Sequence, residues 1–252
     1  MGSFTYNYVR KLTTVLKFIT LCPPSLSLDR NFPAAMRRTK EEAEKTRSTI
    51  LEAAEVLFLE KGVAHTSLEQ IARQAGVTRG AVYWHFENKA HLFHELLSQV
   101  RLPPEQLAER LGCCAEHDPL LGLRALCVEA IESLPHDEQR RRIFTILLRR
   151  CEFTEELREA EQRHEAFINQ FIELCESQFA HPRVVTRLQP GMTPRLAARA
   201  LHAMIVGLFS DWLRDPKLFD AQADTAPMID ACFRGLIRDW PDVAALPRPP
   251  VA

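Results

Sequence analysis

The chain has 252 residues, a formal net charge of −1 and 46 % hydrophobic residues, enough apolar material for one large domain or two of ordinary size. So neutral a chain does not coat nucleic acid by bulk charge, although a local cationic face would still serve a specific binder. With only 9 glycines, no Walker loop, no nucleophile elbow and no His-Glu-x-x-His, the pattern points away from an enzyme, and no cofactor is expected.

Residues 1–35 read as an extension from an upstream start. Val9 to Leu21 is mildly apolar, but Thr13, Thr14, Lys17 and Thr20 interrupt it and it is too short to span a bilayer. A membrane tether is the sharper alternative, and an incidental extension with no membrane partner is the expectation. At Met36 the character changes to a basic, helix-starting sequence.

A first helix is expected from about Lys40 to Lys61, opened by a Thr39/Glu42 capping box and stopped by Gly62, with Ile50, Ala54, Leu57 and Phe58 on its apolar face. A second follows Ser67 and ends near Ala75, a third follows Thr78 and ends near His85, and a fourth runs from Asn88 towards Arg101, where Pro103-Pro104 interrupts it. Five further segments are helical in pattern: Pro119 to Leu134, Asp137 to Cys151, Thr154 to Ala180, Pro194 to Arg214 and Ala226 to Trp240. No run alternates with period two, so the fold class is all-α. The proline-rich tail from Pro241 is expected to be disordered. The domain reading is thus 1–35 extension, 36–104 helix-turn-helix domain with its motif at 67–86, 105–240 ligand-binding and dimerisation domain, and 241–252 tail.

Ser67 to Phe86, SLEQIARQAGVTRGAVYWHF, is the informative segment. Leu68, Ile71, Ala72, Val77 and Val82 can form one small core. Gly76 stands where a tight turn needs a left-handed backbone. Thr78 is an N-cap, with Val77 and Val82 spaced as a hydrophobic staple. An ordinary helical hairpin is the plainer alternative, but the agreement of cap, staple, small residue and turn glycine favours a helix-turn-helix, which lays its second helix in the major groove of DNA.

Chemistry then assigns the roles. Thr78, Arg79 and Gly80 open the recognition helix, and Arg79 suits guanine O6 and N7. Tyr83 and His85 can donate to phosphates, and Trp84 is expected to pack as much as to contact. Lys89, Thr66 and Ser67 stand at helix N-termini, which attract phosphate. Arg37 and Arg38, with Lys40, form a basic arm for the backbone or minor groove. From Met36 to Val100 nine cations face nine anions, so the field must come from placement.

The segment from Glu44 to Pro104 resembles the DNA-binding domain of TetR-family repressors, and GVTRGAVYWHF is typical of the family's multidrug-efflux branch. MRRTKEEAEKTR from Met36 is similar to the start of such repressors, and RRCEFTEELREA at 149–160 to their ligand domains. The resemblance implies an N-terminal three-helix head, a C-terminal helical ligand domain, a homodimer, double-stranded operator DNA and a hydrophobic small-molecule effector as partners, and a bacterial cytoplasmic repressor.

In the C-terminal half, apolar faces carry more surface than simple helix packing uses. Leu123, Leu126, Cys127 and Ala130 share one face, Phe144 and Leu148 another one turn apart, Ile168, Phe171 and Cys175 a third, and His202, Ile205, Val206 and Phe209 a fourth. With Cys151 these match the positions the resemblance places around an effector; filling of the core is the plainer role for any one of them. Ile229, Cys232, Phe233, Leu236, Ile237 and Trp240 on the last helix, with Leu201, Met204, Leu208 and Trp212 on the helix before it, are expected to form a four-helix dimer interface.

Seven cysteines, odd in number and without a C-x-x-C pair, indicate a reduced protein with no disulfide framework. A redox sensor is the competing function, resting on Cys113-Cys114 and on Cys127, Cys151 and Cys175, with Arg149 and Arg150 beside Cys151. His91 and His94 share a helical face without convergent partners, so no metal is expected.

Overall fold

The computed structural model describes residues 34–101, 104–113 and 118–241. The expected extension, Cys22, Cys114 and the tail beyond Pro241 lie outside the described residues, as do the side chains of Arg37, Arg38, Thr39 and Cys113. The chain divides into two units, 1–43 and 44–252.

Helix α1 spans Ala34–Lys61. It does not begin at a Thr39 cap, because Ala34, Ala35, Met36, Arg37 and Arg38 are good helix formers and extend it upstream. Gly62 ends it with φ 87. Helix α2, Leu68–Gln74, opens on a reciprocal capping box: the Ser67 hydroxyl accepts from the Gln70 amide, and the Gln70 side chain accepts from the Ser67 amide. Gly76 takes the turn at φ 67. Helix α3, Arg79–His85, is capped by Thr78, and α4, Lys89–Ser98, by Asn88.

Pro104 does more than interrupt. Pro104 starts a helix the periodicity missed, α5, Pro104–Cys113, since proline is tolerated in a first turn whose N–H groups have no helical partner. Then come α6, Pro119–Glu132, and α7, Glu138–Thr145, which passes into a π-helical turn at Ile146–Arg150. A 3-10 turn at Glu155–Leu157 leads into α8, Arg158–Phe179. The short α9, Pro182–Val185, precedes α10, Pro194–Arg214, and α11, Thr225–Leu236. The last helix stops short of the expected Trp240. Ile237 turns extended and forms an isolated antiparallel bridge with Leu188.

Two apolar cores result. The first joins Ile50, Leu51 and Phe58 of α1 to Ile71, Val82, Phe86, Phe93 and Leu96, with the Phe58 and Phe93 rings edge to face at 5.9 Å. Ile143, Ile146, Leu147, Leu157 and Ala160 complete this core from far along the chain, so the N-terminal helical head is built partly by the segment around the π turn. The second core joins α6, α8, α10 and α11 through Leu123, Ile172, Phe179, Leu201, Ile229 and Phe233. Phe144 touches both. Within the second core Arg124 grips Asp230 with two bonds of 2.6 and 2.8 Å, and the Trp240 indole N–H donates to the same carboxylate. Helix α10 is long and apolar enough by length and composition to cross a membrane; here one side of it, Ala197, Leu201, Ile205, Leu208 and Trp212, is buried in this core.

Candidate nucleic-acid interface and effector domain

The α2–turn–α3 unit places its polar residues outward. Ile71, Ala72 and Val82 are buried, with Leu68 and Val77 packed at their edge. Ser67, Thr78, Arg79, Gly80, Tyr83 and Trp84 are exposed, and His85 is half-buried. The Arg79 guanidinium lies 5.3 Å above the Tyr83 ring and donates to its hydroxyl at 3.3 Å. That contact limits the rotamers of a long side chain, so less entropy is lost when it binds a base or phosphate. Burial and the nearby Arg47 hold the His85 imidazole below its ordinary pKa, which favours its neutral, hydrogen-bonding form over the cation. A Cβ added at Gly80 meets only the Thr78 hydroxyl at 3.8 Å; the opening of α3 stays low for a close approach to DNA.

Three assignments made from the sequence change. Lys89 is not a surface phosphate contact: it is 4 % exposed, donates to the carbonyls of Ala64 and Thr66, and pairs with Glu156 at 2.7 Å. Helical position made it look like a surface cation, but its stem folds inward over the loop before α2. Thr66 is likewise buried, its hydroxyl donating to the Gly62 carbonyl at 2.8 Å, and is not free for phosphate. Trp84 does not pack into the core; at 73 % exposure it meets only His85 edge to face and belongs wholly to the outward surface. The backbone at Arg37 and Arg38 is helical, so the basic stretch forms the start of α1.

Rigid contacts tie the head to the rest of the second unit. Glu55 of α1, itself buried, pairs with Arg142 of α7. The Val63 amide donates to the Arg150 carbonyl at 3.0 Å, at the end of the π turn. The same carbonyl lies 3.2 Å from where a Cβ on Gly62 would sit, so glycine serves there both for its left-handed backbone and for this close approach. Lys89–Glu156 is the third link.

The predicted effector residues separate into two groups. Leu123, Cys127, Cys175 and Ile205 are buried in the second core, where they pack against other helices. Leu126, Phe144, Ile168, Phe171 and Phe209 are partly buried beside that core. Ala130, Cys151 and His202 are also half-buried. The Phe144 and Phe209 rings meet at 4.9 Å, and Phe171 and His202 at 6.1 Å. Val206 is exposed at 39 %. Leu148 does not share Phe144's face: hydrogen bonds in the π turn span five residues where an α-helix spans four, and Leu148 is turned outward to 37 % exposure while Ile146 and Leu147 turn into the head. A surface depression of about 180 Å³ lies beside Leu57, Lys61, Gln70, Arg73 and Gln74, away from these faces.

Residues 50–96 match the family described as bacterial regulatory proteins, tetR family, and residues 118–238 match the C-terminal region of MAATS-type transcriptional repressors. The chain is 38 % identical over 195 residues to the HTH-type transcriptional regulator TtgR of Pseudomonas putida, covering 77 % of this chain and 93 % of that protein. The chain belongs to the TetR family. Crystal structures agree with this membership. NalD, described as the secondary repressor of the MexAB-OprM multidrug efflux pump in Pseudomonas aeruginosa, is 66 % identical with a TM-score of 0.76, over 79 % of this chain and all of NalD. A SmeT–triclosan complex is 33 % identical with a TM-score of 0.69, over 82 % of this chain and 100 % of SmeT; SmeT is described as the repressor of the Stenotrophomonas maltophilia efflux pump SmeDEF. The protein is therefore a TetR-family transcriptional repressor.

In this TetR-family chain the described thiols are poor redox groups. Burial pushes Cys151 and Cys175 up to about 12 and raises Cys127 and Cys232, so the reactive thiolate is scarce at neutral pH. Among the described residues no group of three or more metal-ligating side chains converges.

The apolar stripe assigned to a dimer is mostly internal. Ile229, Phe233, Leu236, Ile237, Trp240, Leu201, Leu208 and Trp212 are all buried within one protomer, and Met204 and Cys232 pack beside them. The opposite sides of these helices face outward: Leu196, Ala200, Ala203 and Gly207 on α10, and Ala231 and Gly235 on α11. Small residues carry no strong hydrophobic signal, so the periodicity picks out the buried side. Sequence reasoning also missed Arg101, Phe153, His164 and Phe167, which gather where α4 ends against α8. An aromatic and a histidine at helical spacing along 164–171 was the available signal.

Proposed function

We propose that the protein is a homodimeric cytoplasmic repressor of a multidrug-efflux operon, released from its operator by a hydrophobic small molecule. The observation that carries this reading is the exposed Thr78-Arg79-Gly80-Tyr83 surface held on a head that is braced directly against an aromatic-rich helical domain. The efflux repressors NalD and SmeT, and the complex of SmeT with triclosan, support the operon and effector classes.

Two recognition helices read one operator by spanning successive major grooves, so the operator-binding unit is a dimer. Its interface is the small-residue face of α10 and α11. A Cβ at Gly207 or Gly235 meets nothing within 4 Å inside the protomer, which leaves room for the helices of a second copy to approach closely. Gly207→Leu should raise intrinsic helix propensity and yet shift the protein to monomer in sedimentation velocity, with operator affinity at least about tenfold weaker. A variant that stays dimeric at nanomolar concentration would move the interface elsewhere.

Release requires an effector that binds one state better than the other. A ligand among Phe144, Ile168, Phe171 and Phe209 pushes on the segment that supplies Ile143, Ile146 and Leu147 to the head core, and on Glu55–Arg142. By linkage, effector and operator weaken one another by equal factors. Phe171→Ala should lower affinity for triclosan by about tenfold while leaving operator affinity without triclosan unchanged. Calorimetry with and without operator reads both. Tight triclosan binding that leaves operator affinity unaltered would end the inducer reading.

A further inference from the structure

We infer that the effector site has a cationic pole at Arg101 and selects hydrophobic compounds that also carry an anionic group, a sulfonate, carboxylate or phenolate; this deepens the effector reading above and rests on it. Arg101 lies just beyond α4 and is half-buried against α8. Its guanidinium stands 4.5 Å over the Phe167 ring and hydrogen-bonds His164 Nδ1. A guanidinium only donates, so Nδ1 accepts and the imidazole proton sits on Nε2, where it is a second donor. Burial holds Arg101 down to about 10, and burial together with Arg101 holds His164 down to about 4. At neutral pH the pair carries one positive charge, on the guanidinium.

That charge has no carboxylate partner among the described residues. Comparably enclosed arginines do: Arg124 meets Asp230, Arg187 meets Asp118 and Asp239, and Arg47 meets Glu95. Enclosing an unpaired cation is costly unless something else supplies the counter-charge. Along α8 the spacing of His164, Phe167, Ile168 and Phe171 puts them on one face, with Phe153 stacked on His164 at the near end and His202 against Phe171 at the far end. One end of an aromatic face thus presents charged donors, an arrangement that fits a flat hydrophobic anion.

The test uses the full chain and two fluorescent probes with the same aromatic body: 1-anilinonaphthalene-8-sulfonate, which is anionic, and N-phenyl-1-naphthylamine, which lacks the sulfonate. Arg101→Gln removes the charge and keeps a donor for His164; Arg101→Lys keeps the charge. The sulfonate should bind Arg101→Gln about tenfold more weakly, with the neutral amine within about twofold of its original affinity, and Arg101→Lys should retain most of the sulfonate affinity. Equal effects on the two probes, or none on the sulfonate, would overturn the cationic pole while leaving the effector site standing, provided Phe171→Ala weakens both probes. If neither probe binds, or neither responds to Phe171→Ala, the effector reading itself fails and the pole with it. Operator binding by each variant reports that the fold is intact.

Discussion

Arg79→Ala is expected to lower operator affinity by about 5- to 150-fold per half-site, and by about the square of that factor for a dimer engaging both. The side chain is exposed on the first turn of α3, next to Gly80, and leans on Tyr83. It touches nothing in either core, so the loss should appear in DNA binding and not in unfolding. Selection experiments should also show relaxed preference at one base pair per half-site, because a bidentate contact to guanine discriminates as well as attracts. Fluorescence anisotropy at a fixed salt concentration is the measurement. Unchanged affinity and selectivity would show that α3 does not present Arg79 to base edges. Uniform weakening across all sequences would instead make it a phosphate contact.

Lys89→Met is expected to destabilise the protein by about 2–4 kcal/mol, read by urea unfolding and linear extrapolation. The methionine keeps the apolar stem but removes the charge that satisfies the Ala64 and Thr66 carbonyls and pairs with Glu156. Both carbonyls then lose a buried donor, and water cannot easily replace it at a site 4 % exposed. Glu156 is itself well exposed, so its carboxylate can return to solvent; this keeps the cost below that of breaking a fully buried pair. The dependence of operator affinity on salt should remain the same, since a cation committed inside the protein releases no counterion on binding DNA. A stable variant whose salt slope falls by about one unit would restore Lys89 to the phosphate surface.

These two residues show where sequence reading is sound and where it ends. Arg79 and Lys89 are both cations near a helix N-terminus in the same domain, and the sequence suggests DNA contact for each. The structure separates them through the loop at 63–66, which folds over Lys89 and leaves Arg79 free. Nothing in local spacing reports which way a four-carbon stem will turn.

The sequence by itself determined the helix-turn-helix. Its caps at Ser67, Thr78 and Asn88, its left-handed Gly76 and its small core depend on contacts within a few residues, and such local chemistry is written in the order of residues. It also determined the all-α class and the presence of an amphipathic C-terminal half, because 3.6-residue periodicity is local too. Tertiary structure alone decided which of two faces on α10 and α11 is core. Both faces are compatible with burial, and only the position of α6 and α8 selects the side with Leu201 and Phe233. It alone decided that residues 143–160 complete the head, that the π turn rotates Leu148 outward, and that Arg101 meets His164 from 63 positions away. Each of these depends on surfaces distant in the chain, whose meeting is set by how whole helices pack and not by the propensity of any one of them.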